Sequence, residues 1–339
     1  MTEDSTIHYP SGKISARDAP GVITLSDSAA QRLVQSTGNL YWTSNGAVFG
    51  DGGASIYRAS KSNVPGQETL LYSEAVTPQT YGNGNQFSAL TWAKIGDGWY
   101  GYFVANYPDP GMSQIKRVSL AGGEATVLVN SPAQINHGDL VTDGSHLCWA
   151  DAEGIRSMPI SGGPVTTLVA GTTFARLAMY GSTVYYMSGT SVLSVPVTGG
   201  NVTTAVSADS PVTAFSVATA AIEVELEPEP GRQGLGFPGA EVFWGQADGA
   251  VNRLATGHVT QYQAPSPDLT VTCVSSTQSR VLWADLYAGP QGTECRVRMS
   301  AGGQTTTLFS DNAEFALDDV QADSDAVYWP EVFVYKYPF

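Results

Sequence analysis

Basic residues are scarce in this chain. Sixteen Lys and Arg stand against 31 Asp and Glu, a formal net charge of −15 over 339 residues, and no run of Lys or Arg breaks the balance. Such a surface repels phosphate backbones and anionic bilayers, which excludes general nucleic-acid and membrane-surface binding. Long apolar runs are missing too, since VTAFSVATAAIEV is too short and too polar to cross a bilayer. The N-terminus MTEDSTIHYP has neither the basic nor the apolar region of a signal peptide, leaving localisation open between cytoplasmic and exported with the signal removed.

The three cysteines, Cys148, Cys273 and Cys295, are odd in number and lack CxxC spacing, so neither a zinc nor a disulfide framework is expected. Cys148 and Cys273 fall in apolar strand patterns and read as small buried hydrophobes. The four histidines, His8, His137, His146 and His258, are scattered, which argues against a His-rich metal site. GxSxG, HExxH, P-loop and GxGxxG signatures are absent. The acidic turns around Asp51, Asp109 and Asp285 could hold calcium, although none has the alternating oxygen ligands of a dedicated loop. No cofactor is expected, and no amphipathic helix pattern is found.

What the chain does have is repetition. SHLCWADAEGIRSMPISGGPVTTLV is followed closely by STVYYMSGTSVLSVPVTGGNVTTAV. The aromatic pair recurs seven times, as LYW (40–42), GWY (98–100), LCW (147–149), VYY (184–186), VFW (242–244), VLW (281–283) and VYW (327–329). Behind most copies come a turn, a short strand such as SIYRAS or GIRSMPI, often Gly-Gly, and a Thr-rich segment such as ETLLY or VTTLV. Alternating polarity between Gly, Pro, Asn and Ser turns is a strand signature.

Each unit therefore reads as four antiparallel strands: inner, aromatic, third and outer. One such sheet cannot bury both faces, whereas a ring of them buries every aromatic pair between neighbours. The expected fold is all-β, a single seven-bladed β-propeller of four-stranded antiparallel blades over residues 1–339. The chain ends carry complementary halves of a unit, so residues 13–26, as third and outer strands, are expected to complete the C-terminal blade and close the ring. IEVELEPEPGRQGLGFPGAEVFW interrupts the repeat, and residues 222–240 read as an acidic hairpin-like insertion in the fifth blade, either a solvated hairpin or an arm that contacts a protein partner or a second copy.

On these residues the repeat resembles the bacterial YWTD/NHL-like β-propellers, from about Lys13 to Tyr337. The resemblance implies the fold and leaves function open among binding modules, scaffolds and a minority of enzymes. Trp149-Ala150-Asp151 and Trp283-Ala284-Asp285 keep the Asp of the motif, while LYWTS and VFWGQ depart from it.

In a propeller the outer-to-inner and aromatic-to-third loops surround one mouth of the central funnel. Nine positions before the second residue of each pair stand Arg32, Asp139, Arg176, Cys273 and Asp319, a mixed-charge ring that either closes the channel or holds an anion. QINHGD (134–139) places Asn136, His137 and Asp139 together, with His137 either a general base oriented by Asp139 or a hydrogen-bonded loop residue. Four loops at this face each carry a ring, Phe49, Tyr81, Tyr107 and Tyr287, with Gln86 closing one of them; such rings either stack on sugars or anchor their own loops. Two functions survive. One is a binding module for a glycan or small anionic molecule at the funnel, using Arg32, Asn136, Asp319, Gln86 and the loop rings. The other is a cofactor-independent lyase, hydrolase or cyclase-type enzyme using His137, Asp139 and Arg176.

Overall fold

The structure, a computed structural model, describes residues 23–338 apart from 27–29, 31, 37, 46–52, 63–65, 76–85, 108–110, 132–134, 136–139, 172–174, 220–239, 256, 278–279, 291, 313–316, 318, 324 and 331–333. Its strands form seven four-stranded antiparallel sheets, and no helix occurs among the described residues. In blade 1 the inner, aromatic, third and outer strands are Arg32–Gln35, Asn39–Asn45, Gly53–Ser60 and Thr69–Ala75. Blade 2 runs Gln86–Ile95, Gly98–Tyr107, Met112–Ser119 and Thr126–Ser131, and blade 3 Val141–Thr142, His146–Asp151, Gly154–Pro159 and Thr166–Ala170. Blade 4 comprises Ala175–Tyr180, Thr183–Ser188, Ser191–Pro196 and Thr203–Ser207; blade 5, Val212–Thr219, Ala240–Gln246, Val251–Ala255 and His258–Gln263; blade 6, Leu269–Ser276, Arg280–Gly289, Gly292–Ala301 and Gln304–Asn312. Every inner strand touches the inner strand of the next blade, and the last touches the first, which closes the ring.

Closure differs from the expectation in its stoichiometry. Blade 7 orders Ile23–Ser26, Val334–Pro338, Ala326–Pro330 and Gln321–Ala322, so the C-terminus supplies three strands and the N-terminus one. The third-strand place expected of the first part of residues 13–26 is taken by Val334–Pro338, and residues 13–22 lie outside the described residues. The reason is local. Val334–Pro338 folds directly back on Ala326–Pro330, from Pro330↔Val334 to Ala326↔Pro338, and a hairpin closes a far smaller loop than pairing with the opposite chain end. Residues 220–239 fall between the inner and aromatic strands of blade 5, the connection named for the insertion, and are themselves outside the description.

Parity along the aromatic strand distributes the core. Trp42, Trp149, Tyr186, Trp244, Trp283 and Trp329 pack toward the preceding blade, while Tyr41, Cys148, Phe243, Leu282 and Tyr328, one residue earlier, pack toward the following one. This alternation corrects the aromatic pair of blade 2. Phe103 faces blade 1 and Tyr102 faces blade 3, both fully buried, whereas Trp99 is 47% exposed near the hairpin end. Blade 2 carries aromatics at 99, 100, 102 and 103 of one long strand, and only the second couple stands at interblade depth.

A second rule concerns the Thr-rich segments. In all seven blades the register between third and outer strands slips at one equivalent point. The extra residues are Leu25, Leu71, Leu128, Leu168, Ala205, Tyr262 and Leu308, and all pack against the interblade clusters. A β-bulge turns one outer-strand side chain inward, and the Leu that ends most Thr-rich segments is that residue.

Candidate functional site

The inner strands begin at one mouth of the channel, and three of the charged residues singled out in the sequence meet there. Asp319, just ahead of blade 7's inner strand, accepts a hydrogen bond from the Leu33 backbone N–H of blade 1 at 2.9 Å and one from Gln321 Nε2 at 2.9 Å. Burial pushes its carboxyl above the usual range, against the opposing pull of Arg32, the two hydrogen bonds and Arg176. Arg32, the first residue of blade 1's inner strand, donates from Nε to the Ser88 carbonyl of blade 2 at 3.3 Å.

Arg176 occupies the equivalent place in blade 4 but is built differently. The register with the aromatic strand slips between Ala175 and Leu177, so Arg176 is a bulge residue, and its φ of 63° is left-handed. That conformation costs a side-chain-bearing residue about 1–2 kcal/mol, and strain of this kind concentrates where function over-determines the backbone. The bulge carries the guanidinium over the mouth toward blade 6, where Nη2 donates to the Thr272 carbonyl at 3.3 Å. Thr272 is itself a bulge residue, and its hydroxyl bonds the Leu317 carbonyl at 2.6 Å.

Cys273 departs from the expected ring. It pairs with Ala284 and turns into the core between blades 6 and 7, where burial pushes its thiol up to about 12 although the Arg176 charge pulls the other way. A shift of the bulge by one residue, from the Arg176 place to Thr272, produces the difference. Asn136, His137, Asp139, Phe49 and Tyr81 lie outside the described residues, as do Asp51 and Asp109. Gln86 opens blade 2's inner strand, paired with Asn106.

The two described rings are corrections to their loops. Tyr107 ends the aromatic strand of blade 2, donating its hydroxyl to Glu74 Oε2 at 2.8 Å and lying 5.3 Å from Lys116 Nζ. Lys116 Nζ in turn donates to Glu74 Oε1 at 2.5 Å, as does the Tyr72 hydroxyl at 2.8 Å. Burial, then the Glu74 carboxylate, pushes both phenols well above their ordinary value. Tyr287 lies within the aromatic strand of blade 6, its ring covered by the Arg296 guanidinium at 4.5 Å. Both turns were read as long loops because Gly, Pro and Asp cluster there; the strands continue through much of them.

The Asp of the W-x-D motif has a visible task. Trp149 Nε1 donates to Asp151 Oδ2 at 3.2 Å and Trp283 Nε1 to Asp285 Oδ2 at 3.0 Å, while in blade 5 Gln246 Oε1 accepts from Trp244 Nε1 at 3.1 Å. Asp285 is 0% exposed and meets Arg296 Nε at 2.7 Å and Arg298 Nη1 at 3.6 Å. A carboxylate already held by an indole and two guanidiniums is a structural anchor. The Arg-x-Arg of CRVRMS was the available signal for this network.

No protein-family model matches the chain, and no curated protein matches it. Solved structures do. The chain is similar over 98% of its length to 98% of a chain in the crystal structure of a mitotic checkpoint complex, with TM-score 0.60 and 10% identity. It is similar over 92% of its length to the extracellular domain of BT4673 from B. thetaiotaomicron, with TM-score 0.58 and 11% identity, and spans 38% of that chain. The WD40 domain of Toxoplasma gondii coronin matches 94% of this chain through 84% of its own, with TM-score 0.51 and 7% identity. At such identities likeness speaks to architecture, and it agrees with the sheet topology: the chain is a seven-bladed β-propeller.

Proposed function

We propose that the chain is a binding propeller whose channel mouth holds a small carboxylate or oxyanion between Arg32 and Arg176. Propellers serve as binding platforms, with the site grafted onto loops and strand ends rather than dictated by the fold. The observation that carries the reading is Arg176, held in a left-handed bulge that aims a guanidinium over the mouth. Arg32 and Arg176 both stand close enough to the buried Asp319 carboxyl to oppose the rise that burial gives it. A glycan has less support, because Tyr107 and Tyr287 are committed to Glu74 and Arg296. The W-x-D device supports a YWTD-like origin for the repeat without altering this reading.

Titration calorimetry with malonate and inorganic phosphate, with glucose as the neutral control, tests the proposal. A charge-assisted hydrogen bond contributes about 1.5–3 kcal/mol, so Arg176→Gln and Arg32→Gln should each weaken the anion by about ten- to a hundredfold. Affinity should also fall with salt. Parent-like anion binding by both variants, or equal binding of glucose, would sink the idea.

A further inference from the structure

Trp99, displaced from the interblade core, stands on a finger. Beyond the position opposite the core aromatic, the inner strand of blade 2 continues for five residues, from Leu90 to Ile95, where blade 1 continues for two, from Leu33 to Gln35. At about 3.3 Å per residue, the blade 2 hairpin projects about 10 Å farther, on the face opposite the channel mouth. The third strand stops at Ser119, opposite Tyr100, so the tip is a two-stranded ribbon. It closes through Gly96-Asp97, with Gly96 at the positive φ, 57°, that a type II′ turn requires of its first central residue.

A two-stranded ribbon is marginal by itself in water, and both faces of this one are braced. Toward blade 3, Ile95 and Tyr100 pack on the shared cluster, and the Arg117 guanidinium lies 5.1 Å from the Tyr100 ring. Toward blade 1, the register places Trp92, Lys94 and Trp99 on the face that carries Leu90 and Phe103 deeper in the blade. Trp92 Nε1 donates to the Gln35 carbonyl of blade 1 at 3.0 Å, and the Trp92 and Trp99 rings meet edge to face with centroids 5.0 Å apart.

Trp99 is held in place and still 47% exposed, which leaves about 120 Å² of a side chain of about 250 Å² in water. That area decides the class of partner. A stable protein interface buries about 800 Å² on each side, and the other large exposed apolar side chains belong to outer strands or the turns before them. One flat ring instead matches the face of one sugar ring. Its neighbours are polar: Lys94, the cross-strand partner, reaches 6.0 Å from the ring centroid, the outer limit of cation–π contact. Lys94 and Asp97 are exposed and make no hydrogen bond or ion pair among the described residues. Their charges cancel, so nothing on the finger selects a charged ligand.

We infer that the blade 2 finger is a second binding site, independent of the channel mouth, for a neutral glycan chain of the β-glucan type. A pyranose whose hydroxyls are all equatorial lays its axial C–H groups on the Trp99 face. At its edge the Lys94 ammonium donates hydrogen bonds and the Asp97 carboxylate accepts them, which suits hydroxyls that are both donors and acceptors.

The probe is cellohexaose, titrated against the full chain by saturation-transfer NMR, with sorbitol, which has the hydroxyls without the flat ring, as control. Saturable binding of cellohexaose at millimolar concentration is expected, and none of sorbitol. Trp99→Ala should weaken it by about tenfold or more and Trp99→Tyr by about threefold or less, because truncation removes the stacking face and a smaller ring keeps it. Arg176→Gln should bind like the parent. Should Trp99→Ala not be recovered folded, the double variant Lys94→Ala with Asp97→Ala decides, its expected loss being about tenfold from two hydrogen-bonding groups. Absence of saturable binding overturns the inference, as does parent-like affinity in these variants or equal binding of sorbitol. A dimer in sedimentation velocity that Trp99→Ala abolishes also overturns it, by assigning the ring to a second copy of the chain.

Discussion

Leu25→Ala tests the one-strand closure directly. Leu25 sits at the bulge of Ile23–Ser26, is 2% exposed, and packs with Leu33, Leu40 and Trp42 of blade 1 and Ala326 and Tyr328 of blade 7. Truncating a buried Leu costs about 2–5 kcal/mol through lost transfer energy and the cavity left behind. An unfolding entropy of about 2.1 cal/mol/K per residue amounts to about 0.7 kcal/mol/K for a chain of 339 residues. The melting temperature should therefore fall by about 3–7 °C in differential scanning calorimetry. Ile23→Ala is the control, because Ile23 is 45% exposed on the same strand; its loss should stay within about 1 kcal/mol, the span of strand propensity. Equal effects for the two variants would mean that this strand does not seal the ring.

Other outcomes follow from named polar contacts. Beside the same seam, Lys61 Nζ donates to Asp323 Oδ2 at 2.5 Å and to Gln35 Oε1 at 3.0 Å. Burial raises the Asp323 carboxyl, but the Lys61 hydrogen bond and charge and the backbone N–H groups of Asp325 and Ala326 outweigh it and hold it low. A depressed carboxyl contributes stability above its unfolded value of about 3.9, lost as pH falls through the folded value. The stability gap between parent and Asp323→Asn should accordingly shrink on acidification below about pH 3.9; a constant gap would contradict the latch. Asp319 has the opposite sign, since its carboxyl is raised by burial. Ionising it costs folded-state stability as pH rises from about 3.9, so Asp319→Asn should gain on the parent with rising pH, and a flat difference would refute that. Asp285→Asn leaves Arg296 and Arg298 facing each other and should cost about 3–5 kcal/mol in urea unfolding. Asp151→Asn should cost less, because Arg156 keeps Glu153 at 2.6 Å; the reverse order would count against the network.

The fold was legible because interblade burial imposes one parity on every aromatic strand. Leu-Tyr-Trp, Val-Phe-Trp and Val-Tyr-Trp are that parity written in side chains, and the Leu ending most Thr-rich segments is its bulge. Blade 2 misled because aromatics occur at both depths of a ten-residue strand. The closing blade misled because its third strand, Val334–Pro338, is not followed by the turn and Thr-rich segment that follow the other third strands. At the channel mouth, spacing from the aromatic pair picked out Arg32 and Arg176, which fall on inner strands, and Asp319, which falls two residues ahead of one. It could not separate Arg176 from Cys273, since a one-residue shift of a bulge sends one side chain over the channel and the other into the core.

Anomalous diffraction from crystals soaked in selenate tests the central claim, a channel mouth that binds small anions. A selenium peak is expected within hydrogen-bonding reach of the Arg32 and Arg176 guanidiniums, absent from Arg176→Gln crystals soaked alike. Ordered selenate elsewhere on the protein with an empty channel mouth would contradict it.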